Sequence, residues 1–238
     1  MSRIPDVGNR ERFEFRALSV FNRRMSKHRL LIATTNAGKV KEIRHELEVA
    51  GLIGDFDVVG LKDLAGAYTD CVEDRPTFIG NATKKARHFA KLAGCLTLAD
   101  DSGLCVDALN GAPGVYSARY AGVSGHGADA ANNAKLLDAL KDVPDDKRHA
   151  QFVCSMALAT PYADLAVMVD QVAGVLLREP RGDNGFGYDP LFYFPQFKRT
   201  TAELDMQSKS KISHRGKALR RMIGWMRENE TRLLAVAP

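Results

Sequence analysis

The sequence predicts an elongated mixed α/β fold built as a single chain unit, an architecture that admits two lobes with a cleft between them. Three observations predict it. Short apolar runs alternate with stretches of helical periodicity over residues 30–99. Two long β-rich runs, 150–159 and 165–178, follow each other across a tight turn. Hydrophobic residues make up 45% and charged residues 26% of the chain, a globular composition with enough apolar side chain for a sizeable core. The 238 residues suit one large domain or two small ones, and length does not separate these cases.

The elements follow in order. Leu30, Leu31 and Ile32 form an apolar run that ends in the polar cluster Thr34-Thr35-Asn36, and Val40, Ile43 and Leu47 then share one helical face. This is strand, loop, helix. Residues 56–61 form a second strand. Ile79, Ala82, Ala86, Phe89, Ala90 and Ala93 repeat at helical spacing up to Gly94, a C-terminal stop. Leu96, Leu98 and Ala99 make a third strand, expected to end on Asp100 and Asp101. A Gly111-Ala112-Pro113-Gly114 turn precedes a helix over 129–140 with Leu136, Leu137 and Leu140 inward. The two β-rich runs close a hairpin around residues 161–164, and a Gly-rich loop spans 182–190. Leu219, Met222, Ile223 and Met226 mark the closing helix.

Several function classes are excluded. The four cysteines (Cys71, Cys95, Cys105, Cys154) form no CxxC pair and the six histidines no metal-ligand spacing, which argues against a zinc module or a disulfide framework. A reducing, cytoplasmic setting is the default expectation. No apolar run approaches the roughly 20 residues that cross a bilayer. The net charge of +5 suggests a nucleic-acid partner until it is located. Residues 1–28 hold seven Lys/Arg against three acids, and residues 29–238 hold 27 against 26. The basic excess therefore belongs to the leader, and neither nucleic acid nor membrane is expected as a partner. The leader reads as a disordered tail, an organelle-targeting segment or an upstream extension of a frame starting at Met25. A poorly ordered or artefactual tail is favoured on composition, with residues 29–238 as the functional domain.

Four segments carry candidate chemistry. Thr34-Thr35-Asn36-Ala37-Gly38-Lys39 joins a strand to a helix, where unpaired N–H groups, the helix dipole and a lysine suit phosphate. It lacks the GxxxxGK[ST] spacing, and an Asn/Thr helix cap with a surface lysine explains it equally well. Asp100-Asp101-Ser102-Gly103 gathers two carboxylates at an apolar strand, which is costly without a cation, and oxygen ligands of this kind suit Mg²⁺. Glu73-Asp74 could add a carboxylate; the plainer alternative is a solvated turn. Phe186-Gly187-Tyr188-Asp189 follows a Gly-rich loop, where an aromatic can stack on a flat base and an acid can orient it; a tight turn with core aromatics accounts for it almost as well. Lys209, Lys211, Ser213, His214 and Arg215 could hold phosphate or donate to base oxygens, although such a run more often marks a solvated helix start. Phosphate donors, a divalent-cation site, a stacking loop and a second basic cluster are what a nucleoside triphosphate requires.

The strings ATTNAGKVKEI, TFIGNATKKARHFA, LADDSGLCVDALNGAPGVYSARYAG, REPRGDNGFGYDPLF, TAEL and KSKISHRGKAL resemble the inosine triphosphate pyrophosphatases, in family order from about Arg29 to Met226. The resemblance implies an elongated α/β fold of two lobes with a central substrate cleft, a homodimer, and Mg²⁺-dependent hydrolysis of ITP, dITP and XTP to the monophosphate and pyrophosphate. It implies that residues 34–39 hold the triphosphate, with Asn36 and Lys39 in direct contact. Asp101 becomes the catalytic acid, Glu73 and Asp100 its metal-site neighbours, and Ser102 a substrate contact. Residues 186–189 become the base-binding loop, and Lys209, His214 and Arg215 the remaining substrate contacts. The chain departs from the family pattern at Thr35, at Gly80 in place of a frequent Glu, and at Asp74-Arg75-Pro76 beside Glu73. Two further readings stay open: a pyrophosphatase of broad base specificity, and a nucleotide sensor without turnover. The adjacent carboxylates argue against the sensor, since a pure polyanion binder gains little from them without a metal.

Overall fold

The computed structural model describes residues 28–54, 56–64, 70–231 and 233. The extension read over 1–28 lies outside these residues apart from His28. Strand β1 (His28–Ile32) leads into helix α1 (Ala37–Val49). The helix starts there because the Asn36 side chain accepts the Lys39 N–H at 3.0 Å, and it packs because Ile43 and Leu47 fall one turn apart on the buried face. Strand β2 (Phe56–Gly60) follows, then helix α2 (Phe78–Ala93), capped by Thr77 Oγ1 accepting from the Gly80 N–H at 3.1 Å. Gly94 ends α2 in the left-handed conformation at φ 63°, the stop read from the sequence. Strand β3 (Leu96–Val106), helix α3 (Ala128–Ala139) and the hairpin β4 (His149–Ala159) and β5 (Asp164–Leu176) come next. Short strands β6 (Phe192–Phe194) and β7 (Arg199–Thr200) precede helices α4 (Met206–Ile212) and α5 (His214–Glu228).

The strands form one mixed sheet in the order β2-β1-β3-β4-β5-β6-β7. The β2, β1 and β3 strands run parallel, and every pairing from β3 to β7 is antiparallel. One expectation is corrected here. The third strand does not end on Asp100 and Asp101; it continues to Val106, with both acids in its middle. The element that ends is β1. Its pairing to β3 covers only Leu30↔Leu96 to Ile32↔Leu98, whereas β4 accompanies β3 from Thr97 to Val106. Beyond Ile32 the β3 strand loses one neighbour, and the space this opens lies at the carboxyl end of the parallel pair, where open α/β sheets bind ligands.

The two long strands also join two lobes. Leu96 and Leu98 of β3 pack with Ile43, Leu47, Leu219 and Met222 of α1 and α5. On the opposite face of the sheet, Ala82, Ala86, Phe89 and Ala90 of α2 cover Leu31, Ala99 and Ala157. Farther along the same strands, Leu104, Val106 and Phe152 join Leu136, Leu140 and Phe192 in a separate core. Asp100 to Ser102 therefore sit at the junction between cores. Arg148 lies fully buried in the second lobe, its guanidinium donating to the carbonyls of Leu140, Leu176 and Leu177. The α4 helix and strands β6 and β7 were absent from the sequence reading because elements of seven, three and two residues are too short for periodicity to speak.

Candidate active site

The junction is a cleft of about 960 Å³ between the lobes, and it brings together the four segments singled out in the sequence. Thr34, Thr35, Asn36, Ala37, Gly38 and Lys39 line it from the start of α1. Glu73, Asp101 and Ser102 line it from the α2 approach and from β3; Phe186, Gly187, Tyr188 and Asp189 line it from the second lobe; Lys209, His214 and Arg215 line it from α4 and α5. Asp74, Lys211 and Ser213 do not line it, and neither does Asp100. It lies beneath the surface with 0% exposure.

Asp100 organises the floor through charge. Its Oδ2 pairs with Lys39 Nζ at 3.1 Å and accepts from Arg215 Nε and Nη2 at 3.2 Å and from Ser102 Oγ at 3.0 Å. Burial alone would raise the pKa of Asp100, but Lys39, Arg215 and Lys85 outweigh it and hold the carboxyl far below the usual range. Expected as a metal ligand, Asp100 thus has its charge compensated by side-chain cations, with Oδ1 buried and unpartnered. Lys39 is no surface lysine: its side chain is 15% exposed. Asn36 is the helix cap, so the loop combines both readings offered for it, with the cap on Asn36 and the directed charge on Lys39.

Asp101 has the opposite character. It is buried, its Oδ2 has no partner, and its pKa is raised by burial and by Glu73, against the opposing pull of Lys85 and Lys39. Glu73 shows the reverse balance. Burial raises its pKa, yet Lys85, which bonds it directly, and then Lys39 and Arg119 bring it below the ordinary value. Lys85 also donates to the Asp100 carbonyl at 3.0 Å. Among the described residues no group of three or more His, Cys, Asp or Glu side chains forms a preassembled metal cage.

A second buried network joins the basic cluster to the loop. Lys209 Nζ contacts Glu42 at 2.7 Å and Asp189 at 2.5 Å, and Arg215 Nη1 donates to Glu42 at 2.6 Å. Burial tends to raise the Glu42 pKa, and Arg215 and Lys209 reverse it. Asp189 accepts the Phe186 N–H at 2.9 Å and so anchors the loop, and burial raises its pKa in spite of Lys209. The Tyr188 hydroxyl donates to the Ser117 carbonyl at 2.9 Å and its ring belongs to the second core, the structural role offered for it above. Phe186 alone of the loop aromatics stands between the lobes. Lys209 Nζ lies 4.7 Å and Arg215 Cζ 5.4 Å from its ring centroid. The ring rests on Gly38 so closely that a Cβ there would sit 2.5 Å from Phe186 Cδ1.

Arg215, expected to hold phosphate or donate to a base oxygen, lines the cleft with Nε, Nη1 and Nη2 bonded to Asp100, Glu42 and Ser102. Those partners hold its pKa above the ordinary arginine value although burial opposes them. His214 stacks on Phe152 at 4.8 Å, and burial followed by Arg215 and Lys209 keeps its pKa well below the ordinary imidazole value. Motif reading missed Glu42, Lys85, Arg119 and Asn81, whose side chain lies beside Asp101 and lowers its pKa. A signal existed for two of them: Asn81 and Lys85 are one turn apart among the small apolar residues of the buried face of α2.

The sequence model of the Ham1 family matches residues 30–225. A dITP/XTP pyrophosphatase of Desulforamulus reducens is 52% identical over 193 residues, covering 81% of this chain and 92% of that protein. The dITP/XTP pyrophosphatase of Shigella flexneri is 47% identical over 204 residues, covering 84% and 98%. Among solved structures, a HAM1 protein from Coxiella burnetii superposes with a TM-score of 0.73 at 41% identity, covering 84% of this chain and 99% of that one.

Proposed function

This chain belongs to the Ham1 family, and we propose that it hydrolyses the non-standard purine nucleoside triphosphates ITP, dITP and XTP to the monophosphate and pyrophosphate, clearing them from the nucleotide pool. One observation carries the reading. The lysine-bearing helix start, Asp101 with its unpartnered Oδ2 and the aromatic loop all face one cleft of about 960 Å³, a volume suited to a small-molecule ligand.

The residues fit a Mg²⁺ ion. Mg²⁺ keeps most of its water and is commonly held by one or two carboxylates together with substrate phosphates, so a preassembled cage is not required. Asp101, with its buried unpartnered Oδ2, and the neighbouring Glu73 would hold it. When bound, the ion neutralises the polyphosphate and the departing pyrophosphate.

The chain's own residues supply the rest. Lys39 presents its ammonium beside the first-turn amides of α1, where phosphate oxygens are attracted by charge and dipole together. Asp100 and Glu42 keep Lys39, Arg215 and Lys209 in place, so the cations need no reorganisation when the polyanion arrives. Asp101 orients the attacking water and accepts its proton as general base. Water attacks the α-phosphorus, and the bond to the β-phosphate bridging oxygen breaks. Phe186 stacks on the purine. Hypoxanthine and xanthine offer an acceptor oxygen at C6, whereas the adenine amino group leaves donors of the pocket unpaired.

The test is to incubate the protein with ITP, XTP, GTP and ATP, with and without Mg²⁺, and to identify the released phosphate. Pyrophosphate from ITP and XTP, dependence on Mg²⁺ and weak ATP turnover are expected. Orthophosphate release, or equal rates for ATP, overturns the reading. A homodimer is part of the same proposal and is checked by light scattering.

A further inference from the structure

We propose that Asp129 and Asn133 of α3 are positioning residues that set purine discrimination by holding Gly187, and through it the ring of Phe186. The inference rests on the reading of Phe186 as the base-stacking residue. Asp129 Oδ2 accepts the Gly187 N–H at 2.7 Å, and Asn133 Nδ2 donates to the Gly187 carbonyl at 2.9 Å. Both backbone polar groups of one loop residue are thus bonded to one helix. Asp129 and Asn133 are four residues apart, so a single helical face presents the acceptor and the donor together.

The clamp adds to the loop's own backbone ties, the Asn184 N–H donating to the Ala202 carbonyl at 3.1 Å and the Asp189 N–H to the Phe186 carbonyl at 3.3 Å. Gly182, Gly185 and Gly187 all have positive φ, and a glycine-rich segment explores many conformations unless it is tied down. An aromatic ring selects between flat ligands only when its plane is set before they arrive, since ordering it on binding subtracts from affinity. Asp189 ties the Phe186 N–H and Tyr188 is rooted in the second core, which leaves Gly187 as the hinge between two fixed points. The α3 clamp closes it. Leu136 and Leu140 seat the helix end of the second lobe in that same core, so the constraint runs from core to helix to hinge to ring. The ring then reaches across to Gly38 in the other lobe, which makes its pose an alignment of the base loop with the phosphate loop.

Three variants test this: Asp129→Ala, Asp129→Asn and Asn133→Ala. Asp129→Ala should raise KM for ITP about tenfold with kcat within about twofold, and narrow the preference for ITP over ATP by about tenfold, the loss of one charge-assisted hydrogen bond. Asp129→Asn keeps an acceptor oxygen and should stay within about twofold of the parent. Hydrogen exchange over residues 182–190 gives a readout independent of turnover: faster in Asp129→Ala, unchanged in Asp129→Asn. A merely structural role would lower kcat and stability without moving the ITP-to-ATP ratio. An unchanged ratio in Asp129→Ala, or failure of Asp129→Asn to rescue, overturns the proposal; if Asp129→Ala does not fold, Asn133→Ala carries the same test from the carbonyl side. Absence of pyrophosphate release by the parent protein refutes the proposed function instead, and the exchange comparison with equilibrium binding of ITP and ATP still decides the clamp.

Discussion

Replacing Asp100 by Asn removes the charge at the centre of the cleft floor while keeping the side chain's shape. In the parent, Oδ2 of a fully buried carboxylate meets the Lys39 ammonium at 3.1 Å, two arginine nitrogens of Arg215 at 3.2 Å and the Ser102 hydroxyl at 3.0 Å. The variant leaves Lys39 and Arg215 facing a neutral amide, and removing one partner from a buried ion pair costs about 3–5 kcal/mol. For a domain of this size each kcal/mol is worth about 2–4 °C, so Tm should fall by about 6–20 °C. The sign of the pH dependence follows from the lowered pKa. A carboxyl depressed in the folded state stabilises it above the unfolded-state value of about 3.9, and that contribution is lost as pH falls toward the folded value. The stability difference between parent and Asp100→Asn should be constant above about pH 5 and shrink below about pH 4. Urea unfolding in the presence of a chelator, followed by far-UV circular dichroism across that range, measures both quantities. A difference under about 1 kcal/mol at neutral pH, the value of an exposed pair, would refute the assignment of Asp100 as the anchor of the two cations.

Two further substitutions separate chemistry from architecture. Asp101→Asn should abolish pyrophosphate release while calorimetry shows ITP still bound; because burial and Glu73 make the ionised Asp101 costly at neutral pH, the same variant should melt higher than the parent without metal, and near-normal turnover would remove Asp101 from the mechanism. Gly38→Ala places a methyl group 2.5 Å from Phe186 Cδ1 in a helix that would otherwise gain up to about 1 kcal/mol from alanine, so thermal stability should hold while KM for ITP rises as the ring is displaced; an unchanged KM would show that the ring's contact with the phosphate loop is incidental.

Local patterns in the sequence determined most of the longer elements and the residue types of the site. The Asn36 cap, the Ile43 and Leu47 stripe, the Gly94 stop and the hairpin of β4 and β5 all depend on neighbours within a few positions, where backbone sterics and hydrogen bonding act without the rest of the chain. The strings that resemble a pyrophosphatase family likewise named Thr34 to Lys39, Asp101, Phe186 and Arg215, every one of which lines the cleft. Tertiary structure decided what each of them is paired with. Which of Asp100 and Asp101 is paired with cations turns on Lys39 and Arg215, and Arg215 lies far away in sequence. Glu42 looks like an ordinary helix-surface acid until Lys209 and Arg215 close over it, and Lys85 like an ordinary lysine until α2 packs its face against β3. The continuation of β3 past its two acids was hidden for the same reason, since it depends on where β1 stops and β4 does not. Propensity acts through adjacent residues; charge compensation and burial act through space, and only the folded chain fixes the distances that decide them.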